Sequence, residues 1–216
     1  MKVKYPRTFH LLWSEGATDD DKVLKDMSCF TGKEVVVTEK LDGENTSIYC
    51  DCTHARSKDS QDHPSRHWVK MLQSTIGYQI PENWRVCGEN VYAKHSIYYE
   101  KLESYFYMFS IWSEDNVCLS WPDTEKWATE LNLNIAPVLY KGIYDERLIK
   151  NLYSGSSSLG GEQEGYVVRL ADSFPYSEFK NSVAKFVREN HVKTSEHWMK
   201  QELIINKLNE EELKKK

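Results

Sequence analysis

The sequence has no apolar run long enough to cross a membrane, and its opening, MKVKYPRTFH, lacks the apolar core of a secretory signal. Nor does it carry an even, regularly spaced set of cysteines. The five present, Cys29, Cys50, Cys52, Cys87 and Cys118, are scattered, which excludes a disulfide framework and points to a reducing, intracellular, cytoplasmic setting. Cys50, Cys52 and His54, and the pair His63 and His67, have neither CxxC pairs nor HExxH spacing; they read as strand-face thiols and loop imidazoles, not a zinc site. Positive net charge is also missing. At −5 the chain has no global field for nucleic acid, so any such binding needs a local basic surface. No internal repeat, proline-rich linker or low-complexity tract divides the 216 residues, and with 40% apolar and 12% aromatic content they suit one mixed α+β domain.

Short β-branched or aromatic runs are plentiful: EVVVTEK (34–40), TSIYCDC (46–52), WRVCGENVYA (84–93), YFYMFSIW (105–112) and EGYVVRL (164–170). Asp-Gly, Pro and Gly breaks separate them, predicting strands of mainly antiparallel sheets. Helical stretches lie between: PSRHWVKMLQSTI (64–76), DTEKWATELNL (123–133) and DERLIKNLY (145–153). Thr18 followed by Asp21 predicts a capped short helix in ATDDDKVLKDM (17–27), and SGSSSLGGEQ (154–163) reads as a loop. From about Thr194 onward, TSEHWMKQELIINKLNEEELKKK is helical by composition, its terminal lysines suiting the helix dipole.

Lys40 is the candidate for chemistry. A lysine is nucleophilic only when uncharged, so burial or neighbouring cations must pull its pKa below the solution value of about 10.4. Lys40 follows the apolar VVV run, and the spacing to Asp42, before the Asp42-Gly43 turn, aims lysine and carboxylate into one cavity. Taken alone, this describes a solvated lysine beside a hairpin. The balance shifts with Glu89 in CGEN, the aromatic row of YFYMFSIW, Glu164 in EGYVVR, and Lys185 and Arg188 in VAKFVR, each on a predicted strand. One lysine, two carboxylates and several cations suit attack on a nucleotide phosphate, with a metal offsetting charge and pyrophosphate leaving. The sequence has no GxxxxGK loop, so side chains and metal must hold the phosphates.

In this order KLDGEN, CGEN, YFYMFSIW, EGYVVR and AKFVR resemble motifs I, III, IIIa, IV and V of the covalent nucleotidyltransferases, the superfamily of polynucleotide ligases and mRNA capping enzymes, over roughly residues 34–190. Asn45 and the compact length resemble ATP-dependent RNA ligases near the phage RNA ligase 2 branch. KYPRTFHLLWSEGATDDDK and KFVRENHVKTSEHW are similar to stretches of small RNA ligases. The resemblance implies an ATP-grasp-like ligase fold: two mainly antiparallel sheets flanked by helices, with the nucleotide cleft between them. It implies an adenylyltransferase domain with its N-terminal arm at 1–193, a helical tail at 194–216 and no separate C-terminal domain. A minimal ligase is then expected, or one with a protein partner that selects the strand.

Carried over residue by residue, the resemblance implies that Lys40 takes AMP from ATP and that Glu39 approaches the adenine edge. Asp42 and Gly43 shape the pocket, while Asn45 contacts a phosphate and Arg56 the ribose and phosphate. Glu89 holds ribose hydroxyls or reacting ends, and Phe109 stacks on the purine. Glu164 binds Mg or Mn directly or through water, and Lys185 neutralises the phosphates. Two departures stand out. Ser110 follows Phe109 where an acidic residue is usual, and Val187 occupies the place of the second motif V lysine. Arg188 is a further cofactor-binding candidate, but it lies three residues after Lys185 and so faces the opposite side of a regular strand; a bulge would have to bring it round, or it meets the nucleic acid instead. The implied reaction passes AMP from Lys40 to an RNA 5'-phosphate and seals it to a 3'-hydroxyl, on a nick or on single-stranded ends, with no membrane involved. Rival readings are a small DNA ligase, a GTP-using capping enzyme, and a degenerate, non-enzymatic nucleic-acid binder, which would have lost Lys40 or Glu164.

Overall fold

A computed structural model describes residues 2–57, 62–189 and 202–214. The first sheet contains β1 (Phe9–His10), β2 (Glu34–Lys40), β9 (Val138–Ile143), β10 (Gly165–Leu170) and β12 (Val183–Val187). Its order is β1-β12-β10-β2-β9, antiparallel except for the β1/β12 pair. Alternation decides its faces. Val35 and Val37 turn to one side with Tyr166, Val168, Ala184 and Phe186, where Leu11, Phe30 and Ile149 complete a core. The next residues in the pleat, Val36, Thr38 and Lys40, belong to the other side.

The second sheet contains β3 (Glu44–Ile48), β4 (Thr53–Ala55), β5 (Arg85–Asn90), β6 (Phe106–Trp112), β7 (Val117–Cys118), β8 (Asn134–Ile135) and β11 (Phe174–Pro175). Its order is β11-β7-β6-β5-β3-β4, and β8 pairs in parallel with β6. Ile48, Val86, Met108 and Ile111 pack against Val69 and Ile76 of α1 (His67–Ile76) and Ala128 of α2 (Trp121–Glu130). Ser120 caps α2 by accepting from the Asp123 N–H at 3.2 Å. Across the sheet from those helices, Cys87, Trp112, Cys118 and Phe174 meet Val183 of the first sheet, Phe179 and Tyr5 of the N-terminal arm. This aromatic cluster fills one part of the space between the sheets and leaves a cavity beside it.

The mixed α+β class with two mainly antiparallel sheets matches the sequence reading. Each predicted strand is present, although TSIYCDC is strand only as far as Ile48 in β3; the chain then turns, with Tyr49 N–H donating to Cys52 O at 2.8 Å, and β4 begins beyond it at Thr53. The helix predicted at 17–27 does not form. Thr18 N–H and hydroxyl do donate to Asp21 (3.2 and 3.0 Å), but they close a turn, because Arg7 also holds Asp21 and Val23 bridges to His10. The predicted C-terminal helix is confined, among the described residues, to one turn at Glu210–Leu213; residues 204–208 run irregularly along 91–102, with bridges Ala93/Ile205 and Leu102/Leu208. Residues 194–201, and the last two lysines, lie outside the described residues. No helix among the described residues is long and apolar enough to cross a membrane.

Candidate active site

Register places the charged residues. Lys40 pairs with Gly165, which pairs with Val187; one step along the same face, Thr38, Val167 and Lys185 form the next row across β2, β10 and β12. Paired residues share a face, so Lys40 and Lys185 look into the same space between the sheets. From the opposite wall come Asn45 and Glu89, paired across β3 and β5. On β6 the register slips: Cys87 faces Ser110 and Gly88 faces Met108, leaving Phe109 as the extra residue of a β-bulge. The bulge brings both Phe109 and Ser110 to the cavity wall. The cavity holds about 400 Å³, within the range that takes a nucleotide-sized ligand.

Charge inside it is unevenly matched. Lys40 Nζ donates to Glu164 Oε2 at 2.5 Å. Burial on its own pushes the Lys40 amine down, but the Glu164 and Glu89 carboxylates outweigh it, and the pKa ends above the ordinary lysine value. The expectation that burial pulls this pKa down is therefore reversed. Burial raises Glu164, against the pull of Lys40, and lifts Glu89 to about 8, again against Lys40 and with help from Glu164 and Asp42. Lys185 moves the other way, to about 8, through burial and the nearby charges of Lys40 and, more weakly, Arg56.

Seven of the expected site residues line the cavity: Glu39, Lys40, Asn45, Arg56, Glu89, Phe109 and Lys185. Glu164 stands beside it, joined to Lys40. Asp42 turns away: Oδ2 accepts from the Ser96 and Ile97 N–H groups, both at 2.7 Å, and its own N–H donates to the Tyr99 hydroxyl at 2.9 Å. Gly43 is a close-approach position, since a Cβ there would lie 2.5 Å from Asn90 O. Arg188 points to Glu162 at 2.6 Å, outside the cavity lining, as strand alternation from Lys185 requires.

Sequence reasoning missed Arg7 and Asp21 of the N-terminal arm, Thr38, and Arg169. Burial works against ionisation of Asp21, yet the hydrogen bonds from Thr18 and Arg7 hold its pKa down to about 2. Arg169, two residues beyond Val167 on the same face, spans the sheets by donating to the carbonyls of Phe109 (3.3 Å) and Leu119 (2.8 Å). That alternation was available in EGYVVR. Arg7 and Asp21 sit in an arm without periodicity, and although both lie in KYPRTFHLLWSEGATDDDK, that likeness singled out neither as a site residue.

Among the residues at the cavity, Asn45 Oδ1 is a buried oxygen with no hydrogen-bond partner, and so is Glu39 Oε1, although Ser157 and Ser158 engage the Glu39 carboxylate. Such groups are rare in protein interiors and suit a ligand that brings N–H or O–H donors, as a nucleoside does. Among the described residues no three His, Cys, Asp or Glu side chains converge into a metal cage. The mutual repulsion of Glu89 and Glu164 nevertheless fits a divalent cation whose shell is completed by water and phosphate oxygens.

The strands of this site coincide with a known family. A family model for RNA ligase matches residues 33–187. Among solved structures, a mutant of Naegleria gruberi RNA ligase with ATP and Mn is similar at TM-score 0.55 and 17% identity, over 86% of this chain and 60% of that one. The same ligase with PPi gives 0.53 and 17%, over 87% and 61%, and another mutant with AMP and Mn gives 0.54 and 18%, over 87% and 62%. At this identity the likeness is one of fold, and the chain spans roughly three fifths of those chains. No curated protein matches. Because the family match runs from the strand that bears Lys40 to the one that bears Lys185, the chain belongs to the RNA ligase family.

Proposed function

We propose that the protein is an ATP-dependent RNA ligase that works through a lysyl-AMP at Lys40. The observation that carries this reading is the position of Lys40: at the wall of a nucleotide-sized cavity, 2.5 Å from Glu164, with Lys185 on the same face and Glu89 opposite. In the first step Lys40 Nζ attacks the α-phosphorus of ATP. The P–N bond forms, the bond to the bridging oxygen breaks, and pyrophosphate leaves with its electron pair. Lys40 must first lose its proton, and Glu164 Oε2 is the acceptor in contact with it; burial makes Glu164 a stronger base than an exposed carboxylate. Lys185 faces the growing charge on the phosphates, and Phe109 offers its ring to the base. Glu39, whose Oε1 has no hydrogen-bond partner, would approach the adenine edge. Glu164, together with Glu89, would hold Mg or Mn, which when bound polarises the α-phosphate and offsets its charge.

In the second step an RNA 5'-phosphate oxygen attacks the lysyl-AMP phosphorus and Lys40 departs as the amine. In the third a 3'-hydroxyl attacks the activated 5'-phosphate, joins the strand and releases AMP. A nicked duplex is the substrate to offer first, with ribose or deoxyribose on the 3'-hydroxyl side, because the 2'-hydroxyl distinguishes RNA from DNA. The five cysteines are unpaired, which supports a reducing, intracellular setting.

The test uses ATP labelled at the α-phosphate with Mg or Mn, followed by denaturing electrophoresis. Wild type is expected to carry label that survives denaturation, and Lys40→Ala to carry none. An unlabelled wild type, or equal label on Lys40→Ala, ends this reading.

A further inference from the structure

On the reading that Lys40 is the adenylylated nucleophile, we infer that residues 204–209 form a strap that positions the Lys40 turn, with Asn206 as its anchoring residue. The stretch 91–102, between β5 and β6, contains no regular strand or helix. Even so, it supplies three of the hydrogen bonds that fix Asp42: the Ser96 and Ile97 N–H groups on its carboxylate and the Tyr99 hydroxyl on its own N–H. The turn that follows Lys40 is therefore only as well placed as a segment lacking a ladder of its own.

The strap provides that ladder. Backbone N–H groups of Lys94 and Leu102 donate to Ile204 O and Lys207 O (2.8 and 3.1 Å). In the other direction, Asn206, Lys207 and Asn209 donate to Tyr92 O, Tyr99 O and Leu102 O at 3.0, 2.9 and 2.7 Å. Asn206 closes the arrangement from inside. It is 1% exposed, its Oδ1 accepts from the Tyr99 N–H at 2.9 Å, and its Nδ2 donates to Val91 O at 2.8 Å.

One amide thus ties the beginning of the segment to the residue whose hydroxyl holds Asp42. Without it, a buried N–H and a buried C=O lose their partners, and the segment relaxes to find others. Tyr99 moves with it, and Lys40, two residues before Asp42, loses its alignment with Glu164. Asn206 touches neither nucleotide nor metal in this scheme; it is a positioning residue acting through Tyr99 and Asp42. The hydrogen bonds of the Asn206 side chain go to Tyr99 and Val91, and neither Glu39 nor Phe109, at the nucleoside end of the cavity, is among these partners. The effect is therefore expected on the rate of adenylylation, not on ATP affinity.

The experiment measures single-turnover labelling of the full chain by α-labelled ATP in wild type, Asn206→Ala, Tyr99→Phe and the double variant, recording rate constant, labelled fraction and the ATP concentration at half-maximal rate. Positioning predicts a rate constant about tenfold lower in each single variant, with the labelled fraction and half-maximal concentration unchanged. The double variant is expected to be little slower than the singles, because both break one path. A merely structural Asn206 would lower the labelled fraction at a wild-type rate constant, and that result, like strict additivity, overturns the inference. Should Asn206→Ala fail to fold, Tyr99→Phe decides, since it keeps ring and strap and removes only the hydroxyl; a wild-type rate there also overturns it. Absence of label on wild type instead sinks the ligase reading, and this inference with it.

Discussion

At the scale of the residue, the site is a contest over protons. On the proposed reading Lys40 must be neutral to attack, yet Glu164 and Glu89 keep it charged beyond the ordinary lysine range, while Lys185 would need its charge and begins to lose it near pH 8. The two requirements oppose each other as pH rises. Below pH 8 Lys185 is protonated and each step upward frees more Lys40, so kcat/KM for self-adenylylation is expected to climb with pH. Above about 8 the loss of the Lys185 charge offsets that gain and the profile flattens. Lys185→Arg keeps its charge throughout, because guanidinium does not titrate in this range, so its profile should rise steadily to pH 9, from a lower starting rate. A profile that flattens at the same pH in both proteins would remove Lys185 from the argument. Little of this was legible in the sequence. Lys40 could be singled out from KLDGEN, but its partner lies 124 residues away, and only the fold reveals that a carboxylate reverses the expected direction of its pKa. Likewise, the spacing from Lys40 to Asp42 suggested a shared cavity, whereas the N–H groups of Ser96 and Ile97 draw the Asp42 carboxylate elsewhere.

Among elements, β10 is the strand on which the site depends, since it separates β2 with Lys40 from β12 with Lys185. Gly165 sits in the row between Lys40 and Val187, and a Cβ there would lie 2.0 Å from Phe186 O and 3.1 Å from Val187 Cα. Backbone cannot yield as a side chain tip does. Gly165→Ala should therefore force β10 and β12 apart, at a cost of about 2–3 kcal/mol, lowering Tm by roughly 5–10 °C in thermal unfolding. Because the displaced row holds Lys40 and its neighbour is Glu164, labelling should fall further than the loss of folded protein explains. An alanine variant with wild-type Tm and labelling would contradict the close packing. The strands themselves were legible: EVVVTEK, VCGEN and YVVR combine β-branched residues with breaks that the fold respects. The irregular parts were not. ATDDDKVLKDM has the side chains of a capped helix, yet Arg7 and the His10/Val23 bridge engage it as a turn. Beyond residue 201, a composition suited to helix gave way because Ile205 and Leu208 bridge to 91–102 and Asn206 buries its amide there. Local propensity lost to tertiary pairing in both places.

For the molecule as a whole, the proposed ligase function raises the question of how a chain of net charge −5 would bind a polyanion. Acidic residues elsewhere would repel RNA, so attraction would be local; of the cations that line the cavity, Lys40 is held by Glu164 and Arg169 by the carbonyls of Phe109 and Leu119, which leaves Arg7, Arg56 and Lys185. Arg7 is partly neutralised by Asp21 at 3.2 Å, while Lys185, on the Lys40 face, would serve the phosphate at the reacting end on the proposed reading. Such a surface neutralises few phosphates, about three at most. Counterion release then predicts a shallow salt dependence: log K for a single-stranded 5'-phosphorylated RNA against log salt should have a slope near −2, since each contact on a single strand contributes about −0.7. Removing one exposed contact, as in Arg56→Ala, should reduce the slope by roughly 0.7 and weaken binding about equally for all sequences. Fluorescence anisotropy over a salt series measures both. A slope of −5 or steeper, or one that Arg56→Ala leaves unchanged, would mean that RNA lies on a different face, and the Lys40 cavity would have to receive its strand ends from a surface unconnected with Arg56.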